Sequence, residues 1–309
     1  AKSFGAAKSP DAIFLLASIS KPMAIAAVMS LVDQGKLRLE DPVTKYISKF
    51  VGDDRDKITI RDLMTHVSGL PDQLPNNAQL RAEHVDLDAF VQAAIRTPLL
   101  FAPRSKYSYS SMAILLACEV AQRISGKSIA ALMDETVFQP IQMRHSALGV
   151  GSLPFESLMR CQVEHAAPES GAGDPKSKDW VWNSRYWREF GSPWGGAHGS
   201  AADVARFLDA FLHPKGDWLK PETARSMISN HNPTGLRPRG LGFDLGRKLG
   251  GSKTSDNAFG HGGSTGTLCW ADPVSDTIFV VLTTLPANAA KPHPRDVTSR
   301  LVAEAVTAD

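Results

Sequence analysis

Leu16-Ala17-Ser18-Ile19-Ser20-Lys21-Pro22-Met23 is the stretch on which the reading of this chain turns. An apolar approach runs straight into a predicted helix. Ser18 stands at its cap position, and Pro22 falls in its first turn, where a missing N–H costs little. Ala24, Ala26, Ala27, Val28, Met29, Leu31 and Val32 continue it, and Gly35 is the predicted stop. Ser18 and Lys21 are three apart and share a helix face. A serine hydroxyl needs a base to become a nucleophile. A lysine is such a base when burial and nearby positive charge lower its pKa. Of the sixteen lysines, Lys21 alone has a serine three residues before it. By itself S-x-x-K is a short pattern, and a capping serine beside a solvated lysine is its plain reading.

The rest of the chain sets the frame. Its 309 residues are 43% hydrophobic and 21% charged, the composition of an ordinary globular chain, long enough for one large domain or two lobes. A net charge of +2 without basic runs gives no sign of a nucleic-acid or anionic-membrane partner. Apolar stretches stop well short of a membrane span. Cys118, Cys161 and Cys269 are scattered and odd in number, and no histidine spacing fits a metal, so neither metal nor cofactor is expected. The start at Ala1 is abrupt and shows no signal peptide, which favours the cytoplasm over the periplasm and leaves the compartment open. Oligomeric state is not readable.

Along the chain, helices are expected at Ile58–His66 with Thr59 as cap, Leu87–Ile95, Met112–Ile124 ending at Gly126, and residues 128–143. His66 and Ser68 are expected to stabilise the turn before Pro71 rather than to catalyse. Ser200 to Asp203 reads as a capping box before the helix Val204–Leu212. Leu241–Leu245 reads as a strand, and Thr267–Trp270 with Thr277–Thr284 as a β-hairpin, followed by a helix from Asp296 to Val306. The expected fold is α/β of the α+β kind. Its antiparallel sheet draws on both chain ends (about 1–22 and 197–309), is flanked by helices, and has a mostly helical lobe, about 23–196, inserted. Together residues 1–309 form one unit.

Two further stretches give Ser18 its meaning. Tyr109-Ser110-Ser111 precedes a buried helix, and a tyrosine there can shuttle a proton to a nucleophile; Tyr107 is a chemical rival. Gly260-His261-Gly262-Gly263-Ser264-Thr265-Gly266 leads into the hairpin, where small residues let a substrate approach and a backbone N–H can serve an oxyanion hole. Gly262 to Gly266 is also a formal G-x-S-x-G, with Asp272 and His293 in hydrolase order. That motif needs a strand, a turn and a helix, and β-branched residues follow here. Trp180, Trp182, Trp187 and Trp194 crowd an irregular stretch, either as a satellite core or as the wall of a substrate pocket.

With those motifs in order, the chain resembles the penicillin-recognising serine hydrolases: class C β-lactamases, D-alanyl-D-alanine carboxypeptidases and esterases of the same fold. Ser18 to Lys21 matches S-x-x-K. Tyr109 to Ser111 matches Y-x-N, with serine for asparagine, and His261 to Gly263 matches the K-T-G or H-x-G strand. Leu63–Leu70, Phe101–Ser105 and Gly195-Gly196 to Asp203 are similar to further landmarks. The resemblance implies Ser18 as nucleophile, Lys21 and Tyr109 sharing the proton work, and the N–H groups of Ser18 and Ser264 as oxyanion hole. Ser111, His261, Gly262 and Gly263 would then meet substrate, with Trp182 and Trp187 as its walls. The departures at Ser111, Gly262 and His261 weaken recognition of an anionic β-lactam, so the expected activity is a carboxylesterase for small acyl groups. A D-alanyl peptidase or weak β-lactamase is the alternative, and a silent binding protein on this fold the third reading.

Overall fold

The Ser20–Asp33 helix is buried on every side from Ser20 to Leu31, as the unbroken apolar run from Met23 to Met29 requires. It ends at Gln34, with Gly35 in the left-handed conformation. The computed structural model describes residues 1–167, 170–171 and 174–306. Against this central helix packs Ser111–Ser125, capped by the Ser110 hydroxyl, which accepts the Ala113 N–H, and closed by a left-handed Gly126. Ile60–Met64 opens with a complete Thr59/Asp62 capping box, and Leu87–Arg96 opens on Asp86.

Among the described residues, seven short strands form two antiparallel sheets. β1 (Phe14–Leu15), β2 (Ala147–Leu148) and β3 (Ala197–Gly199) pair in the order β1-β3-β2. β4 (Asp244–Leu245), β5 (Phe259–Gly262), β6 (Leu268–Asp272) and β7 (Thr277–Val281) form the larger sheet in chain order, with β6 and β7 as the expected hairpin. Side chains alternate across it. Cys269 and Ala271 join the main core beside Phe207 and Phe211 of the Ala201–Leu212 helix. Leu268 and Trp270 face the other way, into a smaller cluster with Ala303 of the Pro294–Val306 helix. The main core also joins Met23 and Met112 of the helical part to Phe243 and Phe259 of the sheet part.

The mixed helical and antiparallel class agrees with the sequence expectation, and three details differ. The N-terminal strand pairs with β3 in the small sheet and not with the hairpin sheet. Thr265 Oγ1 and Thr267 Oγ1 nevertheless donate to the carbonyls of Leu15 and Leu16 (2.8 and 2.9 Å), so the two sheets meet just before Ser18. Leu241–Leu245 is strand only at its last two residues, because Gly242 turns with positive φ (83°) against Pro22 and Ile25 of the central helix. The Ala201–Leu212 helix has half a capping box. Ser200 accepts the Asp203 N–H, but the Asp203 carboxylate accepts from His145 N and Ser146 Oγ instead of returning to Ser200.

Candidate active site

Ser18 sits in a 3-10 turn, Ala17–Ile19, between β1 and the central helix. The helix starts at Ser20, and its cap residue is Ile19, with no side-chain cap. Ser18 is therefore not the helix cap expected from sequence: the intervening turn moves the helix start one residue on, and the Ser18 side chain lines a cavity instead. Ala17 has φ +50°, a conformation that costs a non-glycine residue roughly 1–3 kcal/mol. Neighbours hold it there. Ser20 Oγ donates to Ala17 O (2.6 Å) and accepts the Ala197 N–H (2.9 Å), while Leu16 N donates to Ala197 O (2.8 Å).

Lys21 is buried to 1% exposure, and its Nζ donates to Ser18 Oγ (3.1 Å) and to Trp194 O (2.8 Å). Burial lowers its pKa from 10.5 to about 7; the Asp72 carboxylate opposes that shift and the Arg239 guanidinium adds to it. A substantial neutral fraction at physiological pH makes Lys21 a competent proton acceptor.

Tyr109 lies under Lys21, whose Nζ is 4.7 Å from the ring centroid, and the ring also packs on His66 (4.6 Å). Burial drives its phenol pKa well above the ordinary value, although Arg239 and the nearby Ser18 hydroxyl pull it down. Its hydroxyl is buried without a well-aligned partner. Tyr109 is thus a neutral phenol at rest, and Lys21 is the group that titrates within reach. Tyr107 lies outside this cavity, under the Arg237 guanidinium. Ser68 Oγ accepts the Leu70 N–H (3.3 Å), the turn-stabilising role expected of it, whereas His66, with φ +64°, accepts the distant Ser110 N–H on Nδ1 (3.2 Å) and so ties this turn to the start of the Ser111–Ser125 helix.

Ser18, Lys21, Tyr109, Ser111, Trp182, Trp187, Trp194 and Ser264 line one cavity of about 190 Å³. The β5–β6 turn brings Ser264 there. A Cβ on Gly263 would overlap Thr267 Oγ1 and Leu16 O, so that glycine serves close approach of two backbones. Strand–turn–strand geometry around Ser264 removes the nucleophile-elbow reading, and Asp272 is bound to Ser255 instead. Among the described residues the N–H groups of Ser18 and Ser264 donate to no other backbone carbonyl. Trp182 and Trp187 line this cavity and are also buried in a small cluster with Leu15, Cys161 and Ala166. Trp180 does not reach the cavity.

His261, Gly262 and Gly263 do not line it. Gly262 faces Leu268 and Arg295, on the far side of β5. His261 is buried; Nε2 accepts from Arg239 (2.8 Å) and Nδ1 donates to Gly262 O (2.7 Å). That tautomer is neutral, and burial lowers the pKa to about 3. The fixed cation is Arg239, fully buried and ion-paired with Asp244. Ser111 Oγ and N both donate to Asp72 Oδ1 (2.6 and 2.9 Å), so its two donors point at a protein carboxylate. Asp72, Gln73, Arg81 and Arg239 carry no local sequence signal. Asp72 and Gln73 merely follow the landmark ending at Leu70, and Arg239 sits in a loop.

The Beta-lactamase family model matches residues 2–304. The chain belongs to the beta-lactamase family. Within that family it is 30% identical over 299 residues to esterase EstB of Burkholderia gladioli, covering 87% of this chain and 74% of EstB. It is 25% identical to an Escherichia coli protein provisionally named a D-alanyl-D-alanine carboxypeptidase, covering 92% of this chain and 75% of that one. Solved structures share its fold: EstA of Arthrobacter nitroguajacolicus superposes with TM-score 0.77 at 22% identity, covering 99% and 88% of the two chains. A penicillin-binding protein homologue from Caulobacter crescentus gives 0.76, also at 22%, covering 97% and 85%.

Proposed function

We propose that this chain is a carboxylesterase acting through an acyl-enzyme on esters of small acids. The observation that carries the reading is the 3.1 Å contact between Lys21 Nζ and Ser18 Oγ, at the wall of a cavity, with the lysine pKa brought to about 7 by burial. Neutral Lys21 takes the Ser18 proton as Oγ bonds to the ester carbonyl carbon. The carbonyl electrons move onto oxygen, held by the N–H groups of Ser18 and Ser264. When the intermediate collapses, the C–O bond to the alcohol breaks. The alkoxide takes a proton from Tyr109, which Lys21 re-protonates. Water then repeats the sequence on the acyl-enzyme and frees the acid. Trp194 O holds Lys21 in line throughout.

Cavity size supports short acyl groups, since about 190 Å³ is below the range of drug-sized ligand sites. A carboxylate at Asp72 on the cavity wall disfavours an anionic β-lactam. The test is a panel of nitrophenyl esters from acetyl to octanoyl beside a chromogenic cephalosporin. Turnover of acetyl to butyryl esters with little cephalosporin cleavage is expected; faster cephalosporin cleavage overturns the assignment.

A further inference from the structure

We infer that His66 is a positioning residue for proton transfer by Tyr109, gripping its ring and both of its chain neighbours. This rests on the esterase reading above, in which Tyr109 gives its proton to the leaving alcohol, and adds a residue to that site.

The grip has three parts. Ser108 N donates to the His66 carbonyl (3.0 Å) and Ser110 N to His66 Nδ1 (3.2 Å), so the residues on either side of Tyr109 hang on one histidine. Between them the two rings pack with centroids 4.6 Å apart. The Tyr109 hydroxyl has no well-aligned partner of its own, so its ring and backbone set where the phenol stands. Ser110 Oγ, donating to Pro71 O (2.9 Å), anchors the same loop to the segment that His66 opens.

Turn-making alone does not call for this residue. His66 has positive φ (64°), uncommon for a residue with a side chain, and it is fully buried. With Nδ1 accepting, the neutral ring carries its proton on Nε2. That nitrogen is buried without a hydrogen-bond partner among the described residues. A left-handed backbone and an orphaned donor both cost stability, and they persist where the geometry they enforce is used. Burial, helped by the Arg239 and Lys21 cations, holds the ring's pKa well below the ordinary histidine value, so Nδ1 stays an acceptor at neutral pH.

The experiment compares ethyl butyrate with nitrophenyl butyrate, which leave the same acyl group on Ser18. An alkoxide leaves with a proton and nitrophenolate without one, so the ratio of kcat/KM for ethyl over nitrophenyl ester reads proton delivery. Tyr109→Phe sets the scale by lowering this ratio. His66→Gly tolerates the backbone and removes ring and acceptor. It should lower the ratio by about tenfold or more, since about 1 Å of misplacement can cost about 10²-fold. His66→Asn, whose Oδ1 can stand in for Nδ1, should recover most of that loss. In a Tyr109→Phe background His66→Gly should lower the ratio no further.

Three results overturn the inference and leave the esterase reading standing: an unchanged ratio in folded His66→Gly, an equal drop with and without the Tyr109 hydroxyl, or an asparagine variant no better than the glycine one. Nitrogen NMR of the unaltered protein decides even where the glycine variant fails to fold. Nε2 should carry the His66 proton from pH 5 to 8, and a proton on Nδ1 overturns the inference. A ratio unmoved by Tyr109→Phe removes the proton-donor role and this inference together. Failure to turn over either ester, with no phosphonate adduct on Ser18, removes the esterase reading as well.

Discussion

Arg239 Nη2 donates to His261 Nε2 at 2.8 Å, so the histidine of the third motif is held as a neutral ring and the buried arginine behind it carries the charge. His261 has its pKa lowered to about 3, which keeps it out of any titration between pH 5 and 8. His261→Gln preserves an acceptor for Arg239 and should lower kcat/KM less than about tenfold. Arg239→Met removes the buried partner of Asp244, leaves it only the exposed Arg237 (2.9 Å), and should cost up to about 3–5 kcal/mol of stability. Denaturant melts of the two variants check this; equal losses of stability would mean that His261 bears the load.

The two serine motifs make opposite demands. Ser18→Ala should abolish ester hydrolysis, a loss of more than about 10³-fold in kcat. Ser264→Ala keeps the backbone N–H and should retain substantial activity. Mass spectrometry after phosphonate treatment should find the adduct on Ser18, and an adduct on Ser264 would reverse the assignment.

Lys21 predicts the pH profile. The neutral amine is the active form, so activity should rise through an apparent pKa near 7 and fall at acid pH. Stability follows the same proton. The folded pKa, about 7, is below the unfolded value of 10.5, so the unfolded chain binds more protons between them. Stability should therefore rise with pH across that window and lose that contribution as pH falls toward 7. Lys21→Met should be inactive yet more stable at pH 7, by about 1–2 kcal/mol. Melting temperatures of both proteins from pH 6 to 10 test it; a pH-independent difference would contradict the buried-amine account.

Tyr109→Phe keeps the ring contacts with His66 and Lys21 and removes only the hydroxyl. General acid–base help is typically worth about 10²–10⁴-fold, and kcat should fall within that range. Tyr107→Phe lies outside the cavity and should change little. Similar losses at both would point away from Tyr109 as the proton carrier.

Trp182 and Trp187 should set chain length. Each buried methylene contributes roughly 0.8 kcal/mol until the cavity is full, so affinity should climb over the first few carbons and then drop. Trp182→Leu or Trp187→Leu should move the optimum to longer acyl chains. Because both rings also pack under Leu15, a few kcal/mol of stability should go with them. An unchanged chain-length profile in a well-folded variant would confine the tryptophans to a packing role.

The sequence by itself determined what is local. The S-x-x-K spacing, the apolar helix that follows it, the Thr59/Asp62 cap, the Gly126 stop and the hairpin are written in neighbouring residues, where propensity and periodicity act directly. Three motifs in order were enough for the family resemblance, and the family match bears it out. Tertiary structure decided what depends on distant partners. It brought Trp194 O, 173 residues away, onto Lys21, and put Asp72, 39 residues away, under Ser111. It gave the third motif's charge to Arg239 rather than His261, and sent the N-terminal strand to β3 rather than to the hairpin. The physical reason is the same in each case. A polar side chain buried by folding bonds to whichever group the packing delivers, and a two-residue strand has no alternation long enough to encode its neighbour.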